Sequence, residues 1–425
     1  MTFTRRGFMS LIGATGLWGL DAAAQTPDAA APKTARPKFA ITGATWWQVD
    51  GTKTKDTVIV VDPAIGRIVS IGTDPPGDVS RIDIGGKIIT GGFADPLTAI
   101  GLIEISLEPT TRDDALAGDE LVRAAFRTAD GYNPASSLVN IARIEGLTNA
   151  GVIPTEGLVA GQSCWVDLAG ATPDEAIGKR TSALHVIFGG RSLEDSSRGT
   201  ALLRLRELFE DTRTFQNNQR DYERRQLRKL GASRLDYEVV ARALDGQLPT
   251  VVHADRASDI LNVLALAKDS GLKLILASAA EGWKVADQIR DADVGVIVFG
   301  LDHGPRSFAA LGAREDNAKL LDEAGVRVAL STGESHNARK LRQVAGNAVR
   351  AGLPQHVALG AVSDTAAQLL GLGDDYGEPK VGRMANLVVW SGDPFEFSSN
   401  AELMYIRGRE VALTSRQTAL YDRYK

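Results

Sequence analysis

Few side chains in this chain could carry reaction chemistry. Its 425 residues include five histidines and a single cysteine, Cys164. A hydrolytic zinc-type site needs about three protein ligands and an open position for water, whose pKa the ion lowers to about 7. One cysteine excludes a site built from several thiolates as well as an intramolecular disulfide framework. Any zinc or other divalent ion would therefore rest on His and carboxylate ligands, and no His-x-His or His-x-x-x-His pair exists to start a chelate. The candidates are His253 and Asp255 in the run Val251-Val252-His253-Ala254-Asp255, Glu281, His303 in Asp302-His303-Gly304-Pro305, and Glu334 and His336 after Ser331-Thr332-Gly333. Competing structural roles are a hydrogen-bonded histidine at position 253 and surface-loop histidines at 303 and 336. Glu334 could act as a base, but a shift of one residue along extended backbone reverses a side chain's direction. Cys164, between Ser163 and Trp165, reads as packed core. The glycines of Glu156–Gln162 predict a tight loop, with no phosphate-binding pattern after it.

These residues need strand ends to hold them. From residue 91 to about 375, short apolar runs alternate with amphipathic helices, the pattern of a parallel sheet with crossover helices. The clearest succession is a strand at 250–253, a helix at 257–270, strands at 273–277 and 294–298, a helix at 316–324 and a strand at 326–330. Barrel chemistry is done at the carboxyl ends of such strands, which marks His253, Ser278, Phe299 and residues 331–334 as the candidate rim. Residues 202–230 read as a charged helix lying on the barrel. Residues 39–90 read as short strands uninterrupted by any helical period, and 376–425 mirror them with strand-like runs at 385–390 and 403–406, so the two ends predict one small discontinuous β-sandwich domain.

The first 24 residues read as an export signal: Thr4-Arg5-Arg6-Gly7-Phe8 resembles the twin-arginine pattern, an apolar stretch follows, and Ala22-Ala23-Ala24 supplies a cleavage site. Cleavage there would place the protein in the periplasm with no membrane span, and residues 25–38, with Pro27, Pro32 and Pro37, would serve as a linker. The net charge of −5 contains no block of like charges, which argues against nucleic acid as a partner.

The stretch IITGGFADPLTAIGLIEI, the strand ends VVHADRASDI and VRVALSTGESHNARKL, and the closing VGRMANLVVWSGDPFE together resemble the amidohydrolase superfamily, in particular its imidazolonepropionase-like exported branch. The resemblance implies a (β/α)8 TIM-like barrel, one or two divalent metals, and hydrolysis of non-peptide carbon–nitrogen bonds. It also implies ligands at five positions, of which only His253 is kept. The first strand's His-x-His falls on Leu97 and Ala99, the sixth strand's His on Ser278, and the eighth strand's Asp on Gly333. Two functions follow as expectations. One is an amidohydrolase-fold protein with lost or weakened metal catalysis, binding a small molecule at the barrel mouth or partnering an active amidohydrolase as a homo- or hetero-oligomer. The other is an active metal-dependent hydrolase with an atypical site around His253.

Overall fold

The architecture follows from two sheets that share one chain. The computed structural model describes residues 37–116, 120–189, 197–301 and 304–425. The predicted signal peptide, nearly all of the predicted linker, and His303 lie outside the described residues.

The first sheet opens with β1 (Phe39–Trp47), β2 (Lys53–Asp62), β3 (Arg67–Gly72), β4 (Ser80–Asp83) and β5 (Ile88–Gly91). The barrel sheet is built from β6 (Phe93–Thr98), β7 (Leu147–Val152), β8 (Val159–Asp167), β9 (Ile177–Ile187), β10 (Thr250–Ala254), β11 (Leu274–Ser278), β12 (Gly295–Phe299) and β13 (Val328–Ser331). The chain then returns to the first sheet with β14 (Leu387–Trp390), β15 (Ala401–Ile406) and β16 (Arg409–Glu410). The return is a direct pairing: β14 runs antiparallel to β5, with Val388 opposite Thr90. Backbone hydrogen bonds join these strands of both chain ends into a single sheet. Its inner face is apolar, with Ile41, Ile59, Val61, Ile89, Leu387 and Val389 in one buried cluster.

The parallel run from β9 to β13 sits where the alternation of strands and helices predicts it, with His253 beside Ala277 and Phe299 beside Ser331. The predicted helix at 257–270 is observed with those bounds, and Gly271 closes it at φ 78°, a left-handed conformation that glycine adopts without a Cβ penalty. The charged helix spans Arg198–Asn217 and breaks at Asn218.

One expectation is corrected: the barrel is not all parallel. β8 runs antiparallel to both β7 and β9. The connection 153–158 is too short for a parallel crossover, which needs a dozen or so residues, so the chain can only turn straight back. The crossover helix missing there is replaced by the long connection after β6. Thr128 Oγ1 accepts the Cys164 amide (3.1 Å), Gln162 Nε2 donates to Ala124 O (3.0 Å), and Arg123 N donates to Val159 O (2.8 Å). Cys164 is fully buried beneath this cover, which accounts for its presence without any reactive role.

The barrel is nearly closed, and its seam is made by side chains. Among the described residues no backbone ladder joins β6 to β13. Pro96 has no amide hydrogen to donate, and the amide of Leu97 turns back to Asp95 Oδ1 (3.3 Å). Instead the Asp95 carboxylate accepts from Ser331 Oγ (2.5 Å), Thr332 Oγ1 (2.5 Å) and Thr332 N (3.2 Å). Thr98 Oγ1 adds a bond to Glu334 O (2.8 Å). Inside, Ala94, Leu97, Ile153, Trp165, Ala183, Val251, Ile275, Ala277, Ile297 and Ala329 fill the barrel. No helix among the described residues is long and apolar enough to cross a membrane.

Candidate active site at the barrel mouth

Strand pleating decides which side chains enter the mouth. Along β10, Val251 joins the barrel interior and Val252 the outer core, so His253 follows Val251 inward. On β9, Ala183 is interior and Leu184 outer, so His185 points inward as well. The two rings meet at 5.7 Å between centroids, with His185 Nδ1 and His253 Nε2 3.3 Å apart. Burial drives His253 down to about 4, and burial followed by the neighbouring His253 drives His185 well below its ordinary value. Both are neutral at physiological pH, and one must donate to the other. Among the described residues, the buried His185 Nε2 has no hydrogen-bond partner. His185 carries no motif in the sequence. Its signal was the inward parity of β9, legible only once that strand's register was known.

The remaining predicted residues disperse. Asp255 follows β10 and accepts from Ser278 Oγ (2.5 Å) and Ala280 N (3.3 Å), and burial pushes its carboxyl up. Glu281 is a brace rather than a rim group. It accepts from Ala257 N (3.1 Å), Gly312 N (2.9 Å) and Lys284 Nζ (2.7 Å). Burial alone would raise its carboxyl, but these donors outweigh burial and hold it below the ordinary value. Glu334 accepts from Asn337 Nδ2 and lies 3.9 Å from Arg306 Nη1. His336 is exposed, its Nε2 bonded to Glu104 O (3.0 Å) and its Nδ1 to Ser335 Oγ (3.1 Å). His253 and His185 therefore face the mouth, Asp255 and Ser278 bond to each other at the ends of β10 and β11, and Glu281 and His336 are occupied elsewhere.

The positions where the resemblance expects metal ligands do not suit an ion. Leu97 is fully buried in the barrel interior, and Ala99 packs into the separate outer core. Gly333 has φ 69°, and a Cβ there would come within 2.9 Å of the Phe299 ring. That ring lies 5.9 Å from the His253 ring, so an aromatic side chain fills the space between the fifth and eighth barrel strands' ends. Among the described residues no three His, Cys, Asp or Glu side chains converge. Among the described residues the donor set does not fit the family's metal centre.

Comparison with known proteins bears on the fold. No family model matches the chain. A curated protein, amidohydrolase tasK of Hapsidospora irregularis, is 21% identical over 402 residues, which is 86% of this chain and 40% of that protein. The chain thus spans about two fifths of the length of the curated relative it matches. Among solved structures, an amidohydrolase from Thermotoga maritima MSB8 superposes with a TM-score of 0.80 at 24% identity, over 88% of this chain and 99% of that one. Phenylurea hydrolase B gives 0.54 at 16%, over 88% and 97%. The chain shares its fold with these amidohydrolase structures.

Proposed function

We propose that this chain is an exported, imidazolonepropionase-like amidohydrolase-fold protein that has lost the family's metal catalysis and acts by binding. Its ligand would be a small molecule at the barrel mouth or an active amidohydrolase subunit, with the flanking strands forming a small β-sandwich domain. The observation that carries this reading is the filled centre: Leu97, Ala99 and Ser278 stand where imidazoles are expected, and the Phe299 ring presses on Gly333. One paired imidazole cannot replace about three ligands. The export assignment rests on Arg5-Arg6, the apolar stretch and Ala22-Ala23-Ala24.

A second reading, an active carbon–nitrogen hydrolase with an atypical metal site, draws on His185, which sets a second imidazole nitrogen 3.3 Å from His253 Nε2. Elemental analysis of mature protein purified from its own compartment separates the two. The first reading expects well under one metal per chain and a melting temperature that does not respond to chelator, because an ion bound only to the folded state must stabilise it. Stoichiometric metal with a chelator-sensitive melt, and amide hydrolysis lost on His253→Ala, would establish the second. Replacing Arg5 and Arg6 together with Lys is expected to leave precursor in the cytoplasm, and normal translocation of that form would sink the export assignment.

A further inference from the structure

After the charged helix Arg198–Asn217 breaks at Asn218, a short helix, Gln219–Glu223, carries the chain into a tight reversal. The reversal is a Schellman closure: Gln226 N donates to Asp221 O (2.8 Å) and Arg225 N to Tyr222 O (3.0 Å). Such a closure puts one residue in the left-handed region, and here that residue is Arg225, at φ 57°. Glycine takes this position without a Cβ penalty, as Gly271 does after the helix Ala257–Ser270, whereas a longer side chain is strained there. A guanidinium therefore stands where backbone geometry alone favours glycine.

Its neighbours carry charge of the same sign. Residues 211–234 hold seven arginines or lysines against Asp211, Asp221 and Glu223, in a chain whose net charge is −5. Three of the seven cations are engaged: Arg213 donates to Ser270 O (3.3 Å), Arg228 Nη2 lies 2.5 Å from Asp211 Oδ1, and Arg234 pairs with Glu238. Arg220, Arg224, Arg225 and Lys229 are exposed and, among the described residues, make no ion pair. Apolar groups lie among them. Leu227 is part-exposed and outside the core clusters, and Leu235, next to Arg234, is 53% exposed. Unpaired cations interleaved with exposed leucines fit a surface that offers phosphate charge and hydrocarbon together, which an anionic lipid bilayer does and an acidic peptide does not.

We propose that the turn at 220–229 docks this protein on the headgroups of an anionic bilayer, with Arg220, Arg224, Arg225 and Lys229 on the phosphates and Leu227 and Leu235 at the edge of the acyl layer. Guanidinium forks grip phosphate oxygens in pairs, which suits three arginines among the four cations. Each cation at such a surface contributes a factor of about five in binding at low salt. The docking is independent of what the barrel mouth binds.

The experiment sediments mature protein with vesicles of phosphatidylcholine containing about 30% phosphatidylglycerol, and with phosphatidylcholine alone, at about 50 and about 300 mM salt. Binding to the anionic vesicles only is expected, weaker by at least about tenfold at the higher salt. Arg225→Gly is expected to bind about fivefold more weakly and yet melt at a higher temperature, because a charge is lost and a strained position relieved. Replacing Arg220, Arg224 and Lys229 together with Gln should weaken binding about a hundredfold. Removing three exposed cations elsewhere, by Lys55→Gln, Arg81→Gln and Arg416→Gln, should leave binding within about twofold of wild type. No binding to anionic vesicles, equal binding to both kinds, wild-type binding by Arg225→Gly or by the triple variant at the turn, an equal loss in the distant triple variant, or a lower melting temperature in Arg225→Gly would each overturn the proposal. Capture on a polyglutamate peptide without binding to vesicles would also overturn it, and would assign the cations to an acidic protein partner.

Discussion

Replacing Asp95 with Asn should change how stability depends on pH, and the size of the change can be worked from the barrel seam. Asp95 is fully buried, and burial raises its carboxyl from 3.8 to about 6 even though Ser331, Thr332 and the Leu97 amide pull it down. For an acid raised in the folded state, folded protein holds its proton at pH values where unfolded chain has released it. The stabilisation is fully present below about pH 4 and is lost as pH rises through about 6. The rise corresponds to about 3 kcal/mol. Asn keeps the shape and cannot titrate; its Nδ2 cannot accept, so it loses the bonds made to one carboxylate oxygen by an amount that does not vary with pH. Denaturant unfolding of both forms at a series of pH values from 4 to 7.5 gives the difference in stability at each. Wild type minus Asp95→Asn should fall by about 3 kcal/mol across that range. Taking the difference removes every group the two proteins share, including the neutral pair His185 and His253. A difference that stays flat to within about 0.5 kcal/mol would mean the carboxyl keeps its ordinary pKa, and the account of a buried charge clasping the seam would be wrong.

The opposite slope is expected at His253, whose value falls from 6.5 to about 4 through burial. Measured the same way, wild type minus His253→Gln should grow by about 3 kcal/mol as pH rises from 4 to 6.5, because unfolded chain takes up the proton first. Gly333→Ala should lower stability by roughly 1 to 3 kcal/mol in thermal unfolding, since alanine at φ 69° is strained and its methyl meets Phe299. Arg407→Ala should cost about 3 to 5 kcal/mol, because Arg407 Nε lies 2.5 Å from buried Asp167 and its loss leaves that carboxylate facing only Tyr376, Asn149 and Asn386. Asp167→Asn combined with Arg407→Ala should recover part of the loss, and a double variant no better than the single would show the pair is not coupled.

The parallel half of the barrel was legible because each of its parts is local. Apolar runs at β10 to β13 alternate with helices whose period and stops are written in adjacent residues, as with Ala257–Ser270 and its closing Gly271. The antiparallel strand was hidden because its nine residues are all buried, so no alternation reported its direction. Only the shortness of 153–158 could have revealed it. At the mouth, the family pattern pointed to Leu97, Ala99, Ser278 and Gly333, but not to what took over their space. The partnership of His253 with His185 depends on two strands distant in sequence, and the Phe299 ring is brought to Gly333 by the pairing of β12 with β13. Ser278 was named as a vacated ligand position, and its bond to Asp255 became visible only with the pairing of β10 and β11.

The clasped seam also bears on how this molecule breathes. Every other junction between neighbouring barrel strands is held by a row of main-chain bonds that must fail together, whereas β6 and β13 are held by one carboxylate, the hydroxyls of Ser331, Thr332 and Thr98, and a single amide. A ring with one such junction has a preferred place to part, and parting there sacrifices no ladder. The amides of Leu97 and Thr332, which bond to the Asp95 carboxylate, should therefore exchange with deuterated solvent through a low-energy opening, while those of β10 and β11 exchange only when the whole molecule unfolds.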